Sequence, residues 1–173
     1  SPYLGERAVE PLIDRADRFA YVLCRTSNPG AGELQDLEVG PDTDLEAPAE
    51  PLWARVARRA VRWGPGGTVG LVVGATAPEE LAAARRIAPG RAFHVPGVGA
   101  QGGAHEPGHE HGRARAEPAG GRPGGGLLVN ISRAIADAAA VDEAVAGSVA
   151  ADDPGERIAR VAAAWAARLP VLS

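Results

Sequence analysis

The chain has 173 residues, of which 45% are hydrophobic and 23% charged, a composition typical of a globular domain with a buried core. Its formal net charge is -4 at pH 7 and its arginines are interleaved with acids, which excludes a concentrated basic surface for nucleic acid. The apolar runs are far shorter than the roughly 20 residues of a membrane helix, and no signal-peptide pattern is present. We therefore expect a cytoplasmic protein without nucleic-acid or membrane partners.

Two residue types are missing. All 18 basic residues are arginine, so the chain has no lysine, and it has no methionine either. Because a guanidinium stays protonated, arginine cannot replace lysine as a proton donor. This chain by itself therefore cannot carry out a mechanism that needs a lysine proton donor. The start at Ser1 without methionine predicts that residues 1–173 begin inside a longer reading frame. The single cysteine, Cys24, lies in an apolar run and is expected to be a buried, reduced thiol.

Helical and apolar segments alternate along the chain. Short apolar runs closed by turn residues predict buried strands, and prolines at the starts of two helical patterns fit the first turn of a helix. This alternation predicts an α/β fold with a parallel sheet covered on both faces. The predicted helices are Glu6–Arg18, Leu52–Trp63, Pro78–Ile87, Arg133–Ala146 and Pro154–Arg168. The predicted strands are Phe19–Cys24, Thr68–Gly74, Ala92–Val95 and Leu127–Ile131.

Two architectures fit this order equally well. A doubly wound sheet is complete with four or five strands, whereas a (β/α)₈ barrel needs eight strands and typically about 250 residues. No G-x-G-x-x-G loop follows the first strand, which disfavours dinucleotide binding. Two segments are irregular: Asp42–Pro51, acidic and proline-rich, is predicted to be an exposed loop, and Gly102–Gly126 is predicted to be a disordered Gly/His/Arg-rich insert.

Residues suited to an anion follow the third and fourth predicted strands. The glycine-rich segment His94–Gly103 can bring several backbone N–H groups to one anion, and Gln101 adds a neutral donor. After the fourth strand, Ser132 and Arg133 begin a helix, where unpaired N–H groups and a guanidinium favour phosphate. Both features together predict one phosphate site. The alternative is that the glycines only form turns and that Arg133 is solvated.

The first strand ends in the segment Arg25–Ala31, which contains a run of short hydroxyl and amide side chains. Hydroxyl and amide groups such as those of Ser27 and Asn28 could bind the edge of a planar heterocycle. On chemistry alone, a helix-capping turn explains the same residues equally well.

Taken together, these segments resemble one family. Four motifs occur in the same order and at the same strand ends as in the orotidine 5′-phosphate decarboxylases: TSNPGAGELQDL, LVVGAT, VPGVGAQGG and NISRAI. The resemblance is strongest to the longer-chain bacterial type. The resemblance implies that the chain is the C-terminal half of a (β/α)₈ TIM barrel, with four parallel βα units preceded by one helix. It also implies a homodimer at full length, orotidine 5′-monophosphate as substrate, and no cofactor or metal.

The resemblance assigns a role to individual residues. Ser27 matches the serine that hydrogen-bonds the pyrimidine edge, and Pro96 matches the proline beside the base. Gln101 and Arg133 match the residues that bind the 5′-phosphate. The substrate-binding residues implied are Ser27, Asn28, Pro96, Gln101, Gly102, Gly103, Ser132 and Arg133.

No catalytic residue is expected among these 173. The family's catalytic Lys/Asp array matches no segment of the chain, so the chain by itself is expected to be inactive. Two other possibilities stay open: a non-catalytic phosphate-binding fragment or inactive remnant, and another phosphate-binding barrel enzyme, because this fold hosts many chemistries.

Histidines and glutamates cluster in the insert. Imidazole and carboxylate suit zinc or nickel, but the spacing matches no closed site and the glycines give no rigid scaffold, so no metal site is expected. His94, within the third predicted strand, is expected to be structural. The cluster consists of His105, Glu106, His109, Glu110 and His111.

Overall fold

A computed structural model describes residues 1–98, 110–117, 119, 123–137 and 153–169. The described residues divide into a larger compact unit, within Ser1–Asn130, and a smaller one that begins at Ile131. The larger unit contains strands β1 (Ala20–Arg25), β2 (Glu38–Val39), β3 (Glu50–Pro51), β4 (Val69–Val73), β5 (Phe93–Pro96) and β6 (Leu127–Asn130). Its helices are α1 (Glu6–Ile13), α2 (Gly32–Gln35), α3 (Leu52–Ala60) and α4 (Pro78–Ile87). The smaller unit contains α5 (Arg133–Ala136) and α6 (Pro154–Arg168).

The main sheet is parallel, with four strands in the order β1-β4-β5-β6. All four predicted strands are confirmed to within a residue or two at each end. β4 consists of small and β-branched apolar residues and is buried along its whole length, as expected for a central strand of a parallel sheet. The predicted α/β class is therefore correct.

One face of the sheet is covered by helices. Strand register places Val22, Leu71 and Phe93 side by side on this face, and each is at most 3% exposed. Helix α3 packs here through apolar residues at helical spacing, Trp53, Ala54, Ala57 and Ala60. Removing this apolar surface from water is the main stabilising contribution to the fold.

Within the described residues, the opposite face is exposed mainly at the outer strands β1 and β6. Register aligns Leu23 of β1 with Val72, His94 and then Leu128 of β6. Leu23 is 45% exposed and Leu128 is 50% exposed. The prediction of a sheet covered on both faces is thus met on only one face of the described part, because the predicted helices that lie beside the sheet pack on the same side.

The acidic segment Asp42–Pro51 is only in part the exposed loop predicted from its composition: five of its ten residues are exposed, whereas others are buried. It contains β3, which pairs antiparallel with β2, and both Leu45 and Glu50 are only 7% exposed. Arginines of α3 neutralise its carboxylates. Arg55 donates to Glu50 at 2.9 Å and to Asp42 at 3.3 Å, and Arg58 donates to Glu50 at 2.8 Å. The pairing of charges that lie apart in sequence explains how the Glu50 carboxylate can be buried.

Two helical predictions need correction in extent, and the extent of a third is described only in part. α1 ends at Ile13 rather than at Arg18, because residues 14–18 bring no large apolar side chain to the sheet. α3 ends at Ala60, short of Trp63, and a turn rich in glycine follows. In the smaller unit, α5 is described only as Arg133–Ala136, and residues 138–146 of the predicted helix lie outside the described residues. The short α2 was not predicted.

Part of the predicted disordered insert, Gly102–Gly126, makes specific contacts. Arg85 of α4 is 2% exposed, and its guanidinium lies 3.6 Å from the centroid of the Phe93 ring. It also donates to the carbonyl oxygens of His111 and Gly112. Burial, followed by the nearby charge of Arg115, lowers the pKa of Arg85 to about 10. This buried cation anchors residues 111 and 112 of the insert through their backbone carbonyls rather than through a carboxylate.

Candidate functional site at the carboxyl edge of the sheet

The carboxyl ends of β1, β4 and β5 meet at one edge of the sheet. The N–H of Gly74, which follows β4, donates to the carbonyl of Arg25 at the end of β1, at 2.7 Å. The next N–H, that of Ala75, donates to the carbonyl of Pro96 at the end of β5, at 2.8 Å. The turn after β4 is thus bonded to both neighbours. In open parallel α/β sheets and in barrels, ligands bind at this edge.

Ser27 lies directly against this turn. A Cβ atom built on Gly74 would lie 2.7 Å from both the backbone N and the Cβ of Ser27, closer than real atoms pack. Glycine is therefore required at position 74 for Ser27 to take its place. Ser27 is half-buried, and its neighbour Asn28 is exposed. The structure brings Ser27 and Pro96 to the two sides of Gly74–Ala75.

Side chains near the end of α2 hold the segment before Ser27. Gln35 accepts a hydrogen bond from the Thr26 N–H at 2.9 Å and donates to the Thr26 hydroxyl at 3.2 Å. Arg25 forms a two-point ion pair with Asp36 at 2.8 and 3.0 Å. Sequence reasoning did not assign roles to Gln35, Asp36 or Gly74. The sequence feature that could have indicated Gln35 and Asp36 is that polar residues follow closely on the turn Ser27–Gly30.

At the end of β5, the chain turns at Gly97, whose φ of +92° favours glycine. Pro96 is half-buried and Val98 is buried at 4% exposure, so the start of the predicted glycine-rich loop is well packed. The predicted phosphate ligands Gln101, Gly102 and Gly103 lie outside the described residues.

Ser132 and Arg133 lie in the smaller unit. Ser132 is the N-cap residue of α5, and its carbonyl accepts the N–H groups of Ile135 and Ala136 at 3.0 and 2.9 Å. Both Ser132 and Arg133 are exposed. The predicted start of a helix at Arg133 is therefore correct.

His94 packs against an aromatic ring on the exposed face of the sheet. Its ring centroid lies 5.6 Å from that of Tyr21, which in turn packs edge-on against Phe19. Burial lowers the pKa of His94 below its ordinary value, which favours the neutral ring. These contacts agree with a structural role.

Cys24 is the buried thiol that the sequence predicts. Its side chain is 3% exposed and its Sγ donates to the Trp53 carbonyl at 3.2 Å. Burial, opposed by a backbone hydrogen bond from Arg25, raises the pKa of Cys24 to about 12 and makes the thiolate inaccessible at neutral pH.

In the ranges that the structure describes, no group of three or more His, Cys, Asp or Glu side chains is placed to hold a metal ion. His105 and His109 of the predicted cluster lie outside those ranges. Among the helices described, none combines the length and apolar character needed to cross a bilayer.

The fold and this edge define a parallel α/β protein with polar side chains beyond the carboxyl ends of its strands. The sequence profile of the Orotidine 5'-phosphate decarboxylase / HUMPS family matches residues 1–147. The chain therefore belongs to that family.

Individual relatives agree with this assignment. An orotidine 5′-phosphate decarboxylase of Halorubrum lacusprofundi is 52% identical over 135 residues, covering 78% of this chain and 45% of the relative. One of Thermomicrobium roseum is 44% identical over 170 residues, covering 95% of this chain and 56% of the relative. The solved structure of Leishmania donovani OMP decarboxylase matches with a TM-score of 0.64 and 34% identity, over 92% of this chain and 51% of that one. The chain thus spans about half the length of the relatives it matches.

Proposed function

We propose that the protein to which this chain belongs decarboxylates orotidine 5′-phosphate to uridine 5′-monophosphate and CO₂, in pyrimidine biosynthesis. The observation that carries the proposal is the family match over residues 1–147. The position of Ser27 and Pro96 on either side of one turn at the carboxyl edge supports it, since both are the residues expected to contact the base.

Within this proposal, the chain binds the substrate at two points. Ser27, Asn28 and Pro96 contact the pyrimidine, and Gln101, Gly102, Gly103, Ser132 and Arg133 contact the 5′-phosphate. Binding energy from a phosphate remote from the reacting bond can be used to lower the barrier at the base. Loss of a phosphate contact should then reduce turnover as well as affinity.

The rest of the machinery is proposed to lie on sequence outside these 173 residues. With no lysine in the chain, a Lys/Asp catalytic array must come from elsewhere. The four strands would form the second half of a (β/α)₈ barrel, with the face that carries Leu23 and Leu128 as the barrel interior. We further propose a cytoplasmic homodimer that needs no cofactor or metal.

Substitution of Arg133 tests the assignment. In protein expressed from the complete coding sequence of its gene, Arg133→Ala should lower kcat/KM by an amount equivalent to about 1.5–3 kcal/mol, the usual cost of a lost charged hydrogen bond. The matched control is Arg86→Ala, which removes an exposed arginine from α4. A kcat/KM within about twofold of wild type for Arg133→Ala would show that Arg133 does not bind phosphate.

For the 173-residue chain by itself we expect no decarboxylation above background. Loss of orotidine absorbance, measured with protein free of host enzyme, is the assay. Turnover by this chain would contradict a catalytic array located elsewhere.

A further inference from the structure

Thr26, the residue before Ser27, is held by hydrogen bonds from side chains near α2. The Gln35 carboxamide uses both of its ends: Oε1 accepts from the Thr26 N–H at 2.9 Å, and Nε2 donates to the Thr26 Oγ1 at 3.2 Å. Gln35 and Thr26 are both half-buried, so these bonds are partly shielded from water. This planar, two-point contact fixes both the position and the rotation of the Thr26 peptide group.

A second contact holds the other side of the same residue. The Arg25 Nη1 donates to the Thr26 carbonyl at 2.9 Å, while its Nε and Nη2 bind Asp36 at 2.8 and 3.0 Å. The Arg25 side chain is only 14% exposed. All three hydrogen-bonding groups of Thr26 are therefore bonded to protein side chains: its N–H and hydroxyl to Gln35, and its carbonyl to Arg25.

The position of Ser27 depends on these contacts because β1 ends at Arg25. Beyond that residue, the parallel ladder no longer fixes the backbone. Gly74 limits Ser27 on one side, since even a Cβ at position 74 would lie 2.7 Å from the Ser27 backbone. On the other side, Gln35 limits the position of Ser27 by holding the preceding residue, Thr26. Ser27 thus lies between a close backbone contact and a side-chain clamp.

We propose that Gln35 is a positioning residue for Ser27 and thereby sets the affinity of the site for the pyrimidine base. The inference rests on the proposed function, in which Ser27 contacts the base. A displacement on the order of 1 Å in a positioning element can cost up to about a hundredfold in rate, so a clamp on the preceding peptide group has a measurable effect. Gln35 does not itself touch the substrate in this proposal.

A double-mutant cycle in the protein expressed from its complete coding sequence separates positioning from general stability. Gln35→Met removes both hydrogen bonds at similar volume and should lower kcat/KM for orotidine 5′-phosphate about tenfold. In the Ser27→Ala background, the same substitution should change kcat/KM by less than about twofold, because Gln35 acts through the missing hydroxyl. Glu33→Gln, an exposed change on the same helix, is the control and should leave kcat/KM unchanged.

Conservative variants test the mechanism of the clamp. Gln35→Glu should stay within about threefold of wild type, because its carboxylate can accept from both the Thr26 N–H and the Thr26 hydroxyl. If Gln35→Met does not fold, Thr26→Val replaces it in the cycle, since valine removes only the bond to Oγ1 and keeps the N–H. It should lower kcat/KM about threefold, and this effect should also vanish in the Ser27→Ala background.

The outcomes separate the two proposals. Unchanged kcat/KM in Gln35→Met, or losses that are fully additive with Ser27→Ala, would overturn the positioning role while leaving the decarboxylase assignment intact. A wild-type protein that binds and decarboxylates no orotidine 5′-phosphate would instead overturn the proposed function itself.

Discussion

Gly74 is the residue on which the geometry of the candidate site depends most directly. Its N–H bonds to the end of β1, and its missing side chain leaves room for Ser27. Secondary-structure propensity does not favour glycine at the end of a buried strand, because glycine has no side chain to pack there. The close approach of Ser27 provides the physical reason.

Gly74→Ala tests this contact. The new Cβ must displace the Ser27 backbone, so we expect a loss of about 1–3 kcal/mol in the free energy of unfolding, together with a fall in kcat/KM. Denaturant unfolding and steady-state kinetics measure the two effects. Gly40→Ala is the matched control, because a Cβ at Gly40 meets nothing within 4 Å. Equal stability of the two variants would contradict the close packing.

At the scale of elements, α3 is fixed to the β2–β3 segment by a charge network. Asp42 lies at its centre, with its Oδ2 2.5 Å from Arg59 and 3.3 Å from Arg55. Its Oδ1 accepts the N–H groups of Asp44 and Leu45 at 3.1 and 3.2 Å. Burial alone would raise the pKa of Asp42, but the hydrogen bonds and the arginine charges outweigh it, so the pKa lies below its ordinary value. The folded protein therefore favours the ionised carboxylate.

This pKa direction predicts how stability depends on pH. Because the folded pKa is the lower one, the contribution of Asp42 is fully present above its ordinary value of 3.8 and is lost as pH falls through the folded value. Asp42→Asn keeps an acceptor for the backbone N–H groups but removes the charge. The wild-type protein should be more stable than this variant at pH 7, and the difference should vanish in strong acid.

Urea unfolding of both proteins between pH 2 and 7 provides the measurement. Asp44→Asn is the control, since its carboxylate is 80% exposed and 4.0 Å from Arg59. A stability difference between wild type and Asp42→Asn that does not change with pH would show that the ion pairs do not stabilise the segment.

At the scale of the whole molecule, the sheet has one helix-covered face and one apolar face that the described residues leave open at its outer strands. Tyr21, Leu23 and Leu128 contribute to it, at 36%, 45% and 50% exposure. β1 and β6 are the outer strands of the sheet. Apolar surface on an uncovered face together with open strand edges favours association. In the proposed barrel, further strands of the same protein cover the apolar face and pair with the open edges of β1 and β6.

Thiol accessibility tests this arrangement. In protein expressed from the complete coding sequence, a cysteine introduced by Leu128→Cys should react with a thiol reagent as slowly as the buried Cys24. A cysteine introduced by Glu79→Cys, on the exposed side of α4, should react at the rate of a free thiol. Rapid labelling at position 128 would show that the face is open to solvent and would contradict a closed barrel.

The sequence by itself determined the four strands of the main sheet and the longer helices around them, because apolar runs and helical periodicity are local properties of the chain. It also determined the burial of Cys24 and the absence of a lysine proton donor. Only the tertiary structure decided that Gly74 must admit Ser27, that Gln35 clamps Thr26, and that Asp42 and Glu50 of the acidic segment pair with arginines of α3. Each of these depends on residues that are separated in sequence and meet only once the strands are paired and the helices packed, which no local pattern encodes.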